Sequence, residues 1–171
     1  MTPVATPPAP APQKRGPYDN WRPPITGVGV LAPVGATSLV LPCLPGGALV
    51  LPTGTVQEGQ SPEEAAQAVL TGLPDGLPVR RRVAVDQVQM RRRKITTHIV
   101  VTAPLTVREA RALTYRDPRA GVQVLLTAQA LAALPERAQM RALLGLQALA
   151  IGAMIYMRDG EIQRLESVQA A

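Results

Sequence analysis

Apolar and polar positions change their spacing several times along this chain. Ile25–Leu31 and Ser38–Leu41 are β-branched and aliphatic runs separated by Pro33, Gly35 and Thr37, the pattern of strand, turn and strand. Pro42–Gly47 reads as a loop and Ala48–Leu51 as a third short strand, followed by a second loop at Pro52-Thr53-Gly54. Several signals then agree on a helix start. Ser61 offers an N-cap, Pro62 suits the first helical position, and Glu63 and Glu64 favour the positive end of the dipole. Glu64 also completes a capping box with Ser61. The helix is expected to reach Leu70 or Thr71 and to stop at Gly72.

Val79–Met90 and Ile95–Ala103 are long β-prone segments joined by Arg91-Arg92-Arg93-Lys94, which predicts a hairpin or adjacent strands. In the second, Ile95, Thr97, Ile99 and Val101 share one face, with Thr96, His98, Val100 and Thr102 on the other. Val107–Leu113 reads as a helix or a loop turn. Val122–Leu126 is an expected strand, followed by a short helix capped by Thr127 and running through Leu134. A final long helix is expected from Pro135–Glu136 to about Arg158, broken by Asp159-Gly160. Strands, a helix, strands and then helices predict an α+β protein or a mixed α/β/α sandwich.

The chain has 171 residues, 46% hydrophobic and 18% charged, which allows a buried core and excludes wholesale disorder. One Cys excludes a disulfide framework, and one Cys with one His gives no zinc cluster of the usual kinds. The net charge of +6 comes from 18 basic against 12 acidic residues, and the lysines are Lys14 and Lys94. Abundant Arg, Ala, Pro and Gly points to a GC-rich bacterial coding sequence, which discounts arginine and proline counts as functional signals. Prolines crowd residues 1–24, among them Pro7, Pro8, Pro10 and Pro12, so this stretch reads as a disordered, extended tail anchored by Tyr18 and Trp21. Pro7 and Pro10 have the spacing of a PxxP docking motif. Lys14 and Arg15 follow the Pro/Ala run instead of preceding it, which argues against a secretory signal.

Ala142–Met157 is apolar except for Gln147 and is flanked by Arg141 and Arg158. As a helix it would span roughly 24 Å, short of a ~30 Å hydrocarbon layer. Ala148 and Gly152 have small-xxx-small spacing. The segment is therefore expected to be a core or dimer helix, membrane association is not expected, and the protein is expected in the cytoplasm.

Leu51–Gly76 reads LPTGTVQEGQSPEEAAQAVLTGLPDG. This resembles the Nudix box and its flanks, where a strand enters a glycine loop and then the catalytic helix. The strands on either side, and the strand-then-helix segment VQVLLTAQALAAL at Val122–Leu134, fit the same family over Ile25–Leu134. The resemblance implies a Nudix-like α/β/α sandwich with a mixed sheet over residues 25–134. The Pro-rich tail of residues 1–24 precedes it, and an extra apolar helix in residues 135–171 follows, packed on the domain or on a partner.

The family's box runs glycine, five residues, glutamate, seven residues, then Arg-Glu-apolar-x-Glu-Glu-x-Gly-apolar. Set on Gly54, its first glutamate falls on Gln60, its arginine on Ala68, its next glutamate on Val69 and its apolar position on Leu70. The glutamate pair falls on Gly72 and Leu73, and the closing glycine on Asp75, or on Gly76 with one insertion. The loop and helix entry are kept, while every position expected to hold metal is lost. Mg²⁺ and Mn²⁺ need several oxygen ligands, so the resemblance implies a Nudix-like fold without the standard chemistry and no expected cofactor. Glu58, Glu63 and Glu64 are the carboxylates left as candidates for a replacement metal site, although the first-turn pair also serves the helix dipole.

Arg80, Arg82, Arg91, Arg92, Arg93 and Lys94 are the candidate ligand-binding residues, since guanidinium forks suit phosphate. A solvated strand end and turn is the competing reading. Three tyrosines, one tryptophan and no phenylalanine supply no stacking platform, so nucleic acid is not an expected partner. His98 reads as a packed or half-exposed strand histidine, with a general base or ligand contact as the alternative, and Cys43 as a small structural residue; Asp86 is expected to pair with an arginine that the sequence does not identify. Leu144, Ala148, Ile151, Gly152 and Ile155 are the candidate interface for a homodimer or a heteromeric partner. The leading expectation is a pseudoenzyme, a binding or regulatory module for a nucleotide-like or phosphorylated ligand or for a protein. The alternatives are a divergent, Mg²⁺-dependent hydrolase of a nucleoside diphosphate derivative, and a scaffold acting through its tail and last helix.

Overall fold

A computed structural model of the protein describes residues 21–168. The expectations for the tail, including the PxxP spacing and Tyr18, fall outside the described residues, apart from Trp21–Pro24, which are exposed. Chain order begins with β1 (Ile25–Leu31), β2 (Pro33–Val34), β3 (Ser38–Cys43), β4 (Thr53–Thr55), α1 (Pro62–Gln67) and β5 (Leu70–Thr71). It continues through β6 (Val79–Met90), β7 (Arg93–Thr102), α2 (Val107–Ala112), β8 (Thr114–Tyr115), β9 (Gly121–Leu126) and α3 (Thr127–Ala133). It closes with α4 (Glu136–Ala150), β10 (Ala153–Arg158) and β11 (Glu161–Ser167).

Six strands form a mixed sheet in the order β11-β10-β6-β7-β1-β4. The β1–β7 and β6–β10 pairs are parallel and the other neighbours antiparallel. α1 covers one face, where Ala65, Ala66 and Val69 pack on Val28, Val30 and Val100. α4 covers the other, where Ala142 and Ala148 pack with Leu31, Val83, Ile99 and Val101. A smaller sheet, β2-β3-β9, lies beside these layers with α3 against it. The result is an α/β/α arrangement, and the alternation expected for the strand from Ile95 places Ile99 and Val101 towards α4 and Val100 towards α1.

Two contacts fix α4 on the sheet. Gly145 allows the close approach, because a Cβ there would lie 2.7 Å from Leu31 Cδ1 and 3.2 Å from Ile99 Cγ2. Arg141 supplies the charge contact: its Nε and Nη2 both lie 2.7 Å from Oδ2 of Asp86 on β6, a carboxylate with no exposure. Arg81 also reaches towards this face, donating to the carbonyls of Ala153 (2.8 Å) and Ala148 (3.3 Å) where α4 gives way to β10.

Several sequence expectations need correction. Ala48–Leu51 is not a strand; Leu49 makes an isolated bridge to Cys43, and the strand is β4, placed where a loop was expected. α1 stops at Gln67, because Val69 and Leu70 are drawn into the core and Leu70–Thr71 pairs with Thr114–Tyr115. Thr127 does not cap α3. It is the first helical residue, and its hydroxyl donates to the Thr37 carbonyl.

The largest correction is at the C-terminus. The apolar run is not one helix: α4 ends at Ala150, Gly152 takes φ +65°, and residues 153–158 form β10 beside β6. Ala148 and Ile155 are consequently buried in the core and Leu144 packs against it, while Ile151 is 66% exposed beside Gly152 in the turn. These residues do not form the single helical face expected for an interface. Among the described residues no helix is long and apolar enough to cross a membrane.

Gly145→Val is expected to destabilise the protein by about 1–3 kcal/mol, through overpacking at the α4–sheet contact. Arg141→Met is expected to cost more, about 3–5 kcal/mol, because it leaves the Asp86 carboxylate buried without its counterion. Chemical denaturation of the two variants beside the parent protein checks both values.

Candidate functional site

The segment between β4 and α1 forms one wall of a cleft. Its geometry is set locally. Val56 N–H donates to Thr26 O, Gln57 N–H to Gln60 Oε1, and Gln60 N–H to Gln57 O, around Gly59 at φ +78°. α1 then starts as expected, with Ser61 Oγ accepting from Glu64 N–H and Glu64 Oε2 accepting from Ser61 N–H at 2.8 Å. The Ser61 backbone and hydroxyl donors hold the exposed Glu64 carboxyl below its usual range.

The opposite wall comes from β6 and β7. Thr26, Gln57, Glu58, Gln60, Arg82 and His98 surround a volume of about 700 Å³. Arg82 Nη1 lies 3.2 Å from His98 Nδ1, and Arg82 Nε lies 3.4 Å from Glu63 Oε1 in an ion pair without hydrogen-bond geometry. Burial, and then the Arg82 charge, hold His98 below its ordinary value of 6.5 against the opposing pull of Glu63. The ring is therefore neutral at pH 7. Since a guanidinium can only donate, Nδ1 accepts and the proton sits on Nε2. His98 also belongs to a row across the sheet, Val28, His98, Val85, Tyr156 and Arg164, set by four successive strand pairings.

No protein-family model matches this sequence, and no curated protein matches it. Solved structures do match it. The solution structure of the E. coli ORF135 protein has a TM-score of 0.57 at 17% identity, covering 79% of this chain and 96% of that one. The crystal structure of the MutT protein from Methanosarcina mazei Go1 has a TM-score of 0.56 at 13% identity, covering 75% and 95%. That of the NUDIX hydrolase from Nitrosomonas europaea has a TM-score of 0.56 at 12% identity, covering 81% and 80%. The chain has the Nudix fold.

The residues that the sequence resemblance sets at the Nudix-box positions do not fit a divalent cation. Val69, which the sequence resemblance sets at a glutamate position, is buried; a Cβ on Gly54 would lie 2.8 Å from its Cγ2, so β4 and the segment just after α1 close on each other through apolar atoms. Gly72, which the resemblance sets at another glutamate position, has φ +107°, and a Cβ there would collide with the Ala112 carbonyl oxygen. Gln67, by bonding both Leu77 O and Leu77 N–H, ties the chain after α1 in this path. Among the described residues no group of three or more His, Cys, Asp or Glu side chains could hold a metal ion. Of the three replacement candidates, Glu58 lines the cleft, Glu63 faces Arg82, and Glu64 is engaged by the cap.

The basic residues are divided. Register breaks in the β6–β7 pairing leave Arg80 and Val83 without partners, while Arg81 reaches the α4 side and Arg82 the α1 side, on opposite faces as expected. Arg82 alone of these candidates lines the cleft, and Arg80 is exposed. Arg91, Arg92, Arg93 and Lys94 lie at the far end of the hairpin, where Arg92 O accepts from Arg22 N–H and Lys94 borders a separate hollow with Gln89 and Asp159. His98, expected as a packed or half-exposed strand histidine with a ligand contact as the alternative, is half-buried and lines the cleft. Its place on the same strand face as Val100 was readable, but the crossing of Arg82 and Glu63 beside it was not.

The depressed His98 value has a definite sign. Above about pH 6.5 the ring is neutral in both folded and unfolded chains. As pH falls below 6.5 the unfolded chain takes up the proton first, so stability is lost until pH passes the folded value. His98→Gln is expected to lose less stability than the parent protein on acidification from about pH 7 to pH 5, measured by denaturant midpoints across that window.

Proposed function

We propose that the protein is a metal-independent binding module for a phosphorylated, nucleotide-like small molecule, and that the ligand sits in the cleft between the β4–α1 loop and β6–β7. The observation that carries this reading is the Arg82–His98 pair. Arg82 Nη2 and His98 Nε2 make no hydrogen bond among the described residues, and both side chains line the cleft. A guanidinium edge beside a neutral imidazole N–H provides directed donors for phosphate oxygens. Val69 and Gly72 support the metal-independent part of the reading, since they stand where the Nudix box would present carboxylates.

The charge on Glu63 opposes an anionic ligand and pairs electrostatically with Arg82. One variant therefore separates this reading from a divergent hydrolase. In a thermal-shift screen of nucleotides and nucleoside diphosphate derivatives, a ligand at a hundred times its Kd adds about 2.7 kcal/mol, or ~5–10 °C in Tm for a domain of this size. The expected result is a shift that does not need Mg²⁺, about tenfold or more weaker binding in Arg82→Met, and tighter binding in Glu63→Gln. Mg²⁺-dependent phosphate release that disappears in Glu63→Gln or Glu58→Gln would instead establish the hydrolase.

A further inference from the structure

β11 is the outer strand of the six-stranded sheet, and among the described residues no strand pairs with its outer edge. Ile162 and Leu165 are 50% and 56% exposed, and the strand contains neither proline nor lysine. Edge strands are ordinarily blunted by such residues, by bulges or by covering elements, because their free N–H and C=O groups invite another strand. Here one irregularity, at Gln163, interrupts the pairing with β10, and the stretch after it is regular. We propose that this edge joins two copies of the chain, with β11 pairing antiparallel to β11 about a two-fold axis through Leu165.

The register follows from backbone direction and charge. Val168 N–H donates inward to Gly152 O. By the alternation of an antiparallel ladder, Glu166 and Arg164 also bond inward, and the N–H and C=O groups of Leu165 and Ser167 point outward. A two-fold axis at Leu165 lets that residue exchange both hydrogen bonds with its copy. It also sets Arg164 opposite Glu166 of the second copy, twice over. Moving the axis to Arg164 or to Glu166 would set like charges opposite each other, which disfavours those pairings.

Arg164 and Glu166 are already held for this arrangement on one face of the sheet. Arg164 lies 4.2 Å from the Tyr156 ring centroid and 2.9 Å from Glu166 Oε1, and Tyr156 Oη donates to Glu166 Oε2 at 3.0 Å. Pairing would extend this cluster across the axis, while Leu165 of each copy meets the other on the opposite face. β10 and β6 lie between β11 and the β7 strand that carries His98, so the interface and the cleft are separate surfaces.

Sedimentation of the full chain tests the proposal. The expected species is a dimer, which dissociates on Leu165→Asp. Arg164→Glu and Glu166→Arg should each weaken it about tenfold, because each sets two like-charge pairs across the axis. Mixing those two single variants should restore a dimer, since every cross-axis pair is then opposite in charge while neither chain regains its internal Arg164–Glu166 bridge. Far-UV circular dichroism of each variant confirms that the exposed substitutions leave the fold intact. A monomer at every loading concentration overturns the proposal, as does a dimer indifferent to Leu165→Asp or single variants that fail to combine.

Discussion

The pairing register of β6 organises the molecule. This strand lies between β7 and β10, and two residues, Arg80 and Val83, have no partner across from them on β7. Each extra residue resets which side chain faces which layer. Arg81 bonds to carbonyls at the end of α4, Arg82 meets Glu63 of α1, Val83 and Ala84 both enter the α4 side of the core, and Asp86 meets Arg141. With strict alternation, Arg82 and Asp86 would lie on the same face. The cleft's cation and the buried carboxylate that anchors α4 are put on opposite faces by the extra residue at Val83.

A second constraint shapes the chemistry. The entry to α1 is specified by adjacent residues, but its exit is specified by the core. Val69 and Leu70 have strong apolar and extended preferences, and the fold gives them buried places against β4 and beside β8. Gly72 then turns the chain through a left-handed conformation open to few other residues. The glycine loop and the capped start of α1 are formed, and the chain leaves the helix after Gln67 to pair as β5 with β8. The same cleft is left with Arg82, His98 and two glutamates whose contacts are with an arginine or with solvent.

The C-terminal third makes the limits of local reading concrete. Ala142–Met157 is apolar except for Gln147, and a run of that length is compatible with a helix or with a helix followed by a strand. Gly152 was visible but read as a small residue in a helix interface. The decisive factor is that β6 has a free edge on the side away from β7. Residues 153–158 satisfy it, burying Ile155 and Met157 in the process. The same step creates a new edge at β11, further out than the domain limit drawn from the sequence.

The residues by themselves determined the elements whose signals are local. The capping box at Ser61 and Glu64, the β6–β7 hairpin, the face shared by Ile99 and Val101, and the α/β/α class follow from capping chemistry and from a period of two. The glycine loop and its resemblance were legible for the same reason, since they lie within one short segment. Only the tertiary structure decided where α1 and α4 end, which arginine meets Asp86, and that His98 stands beside Arg82. Each of those outcomes depends on a partner far away in sequence, so its energy is absent from any local window. The sequence holds the residues, and the register of distant strands determines which of them meet.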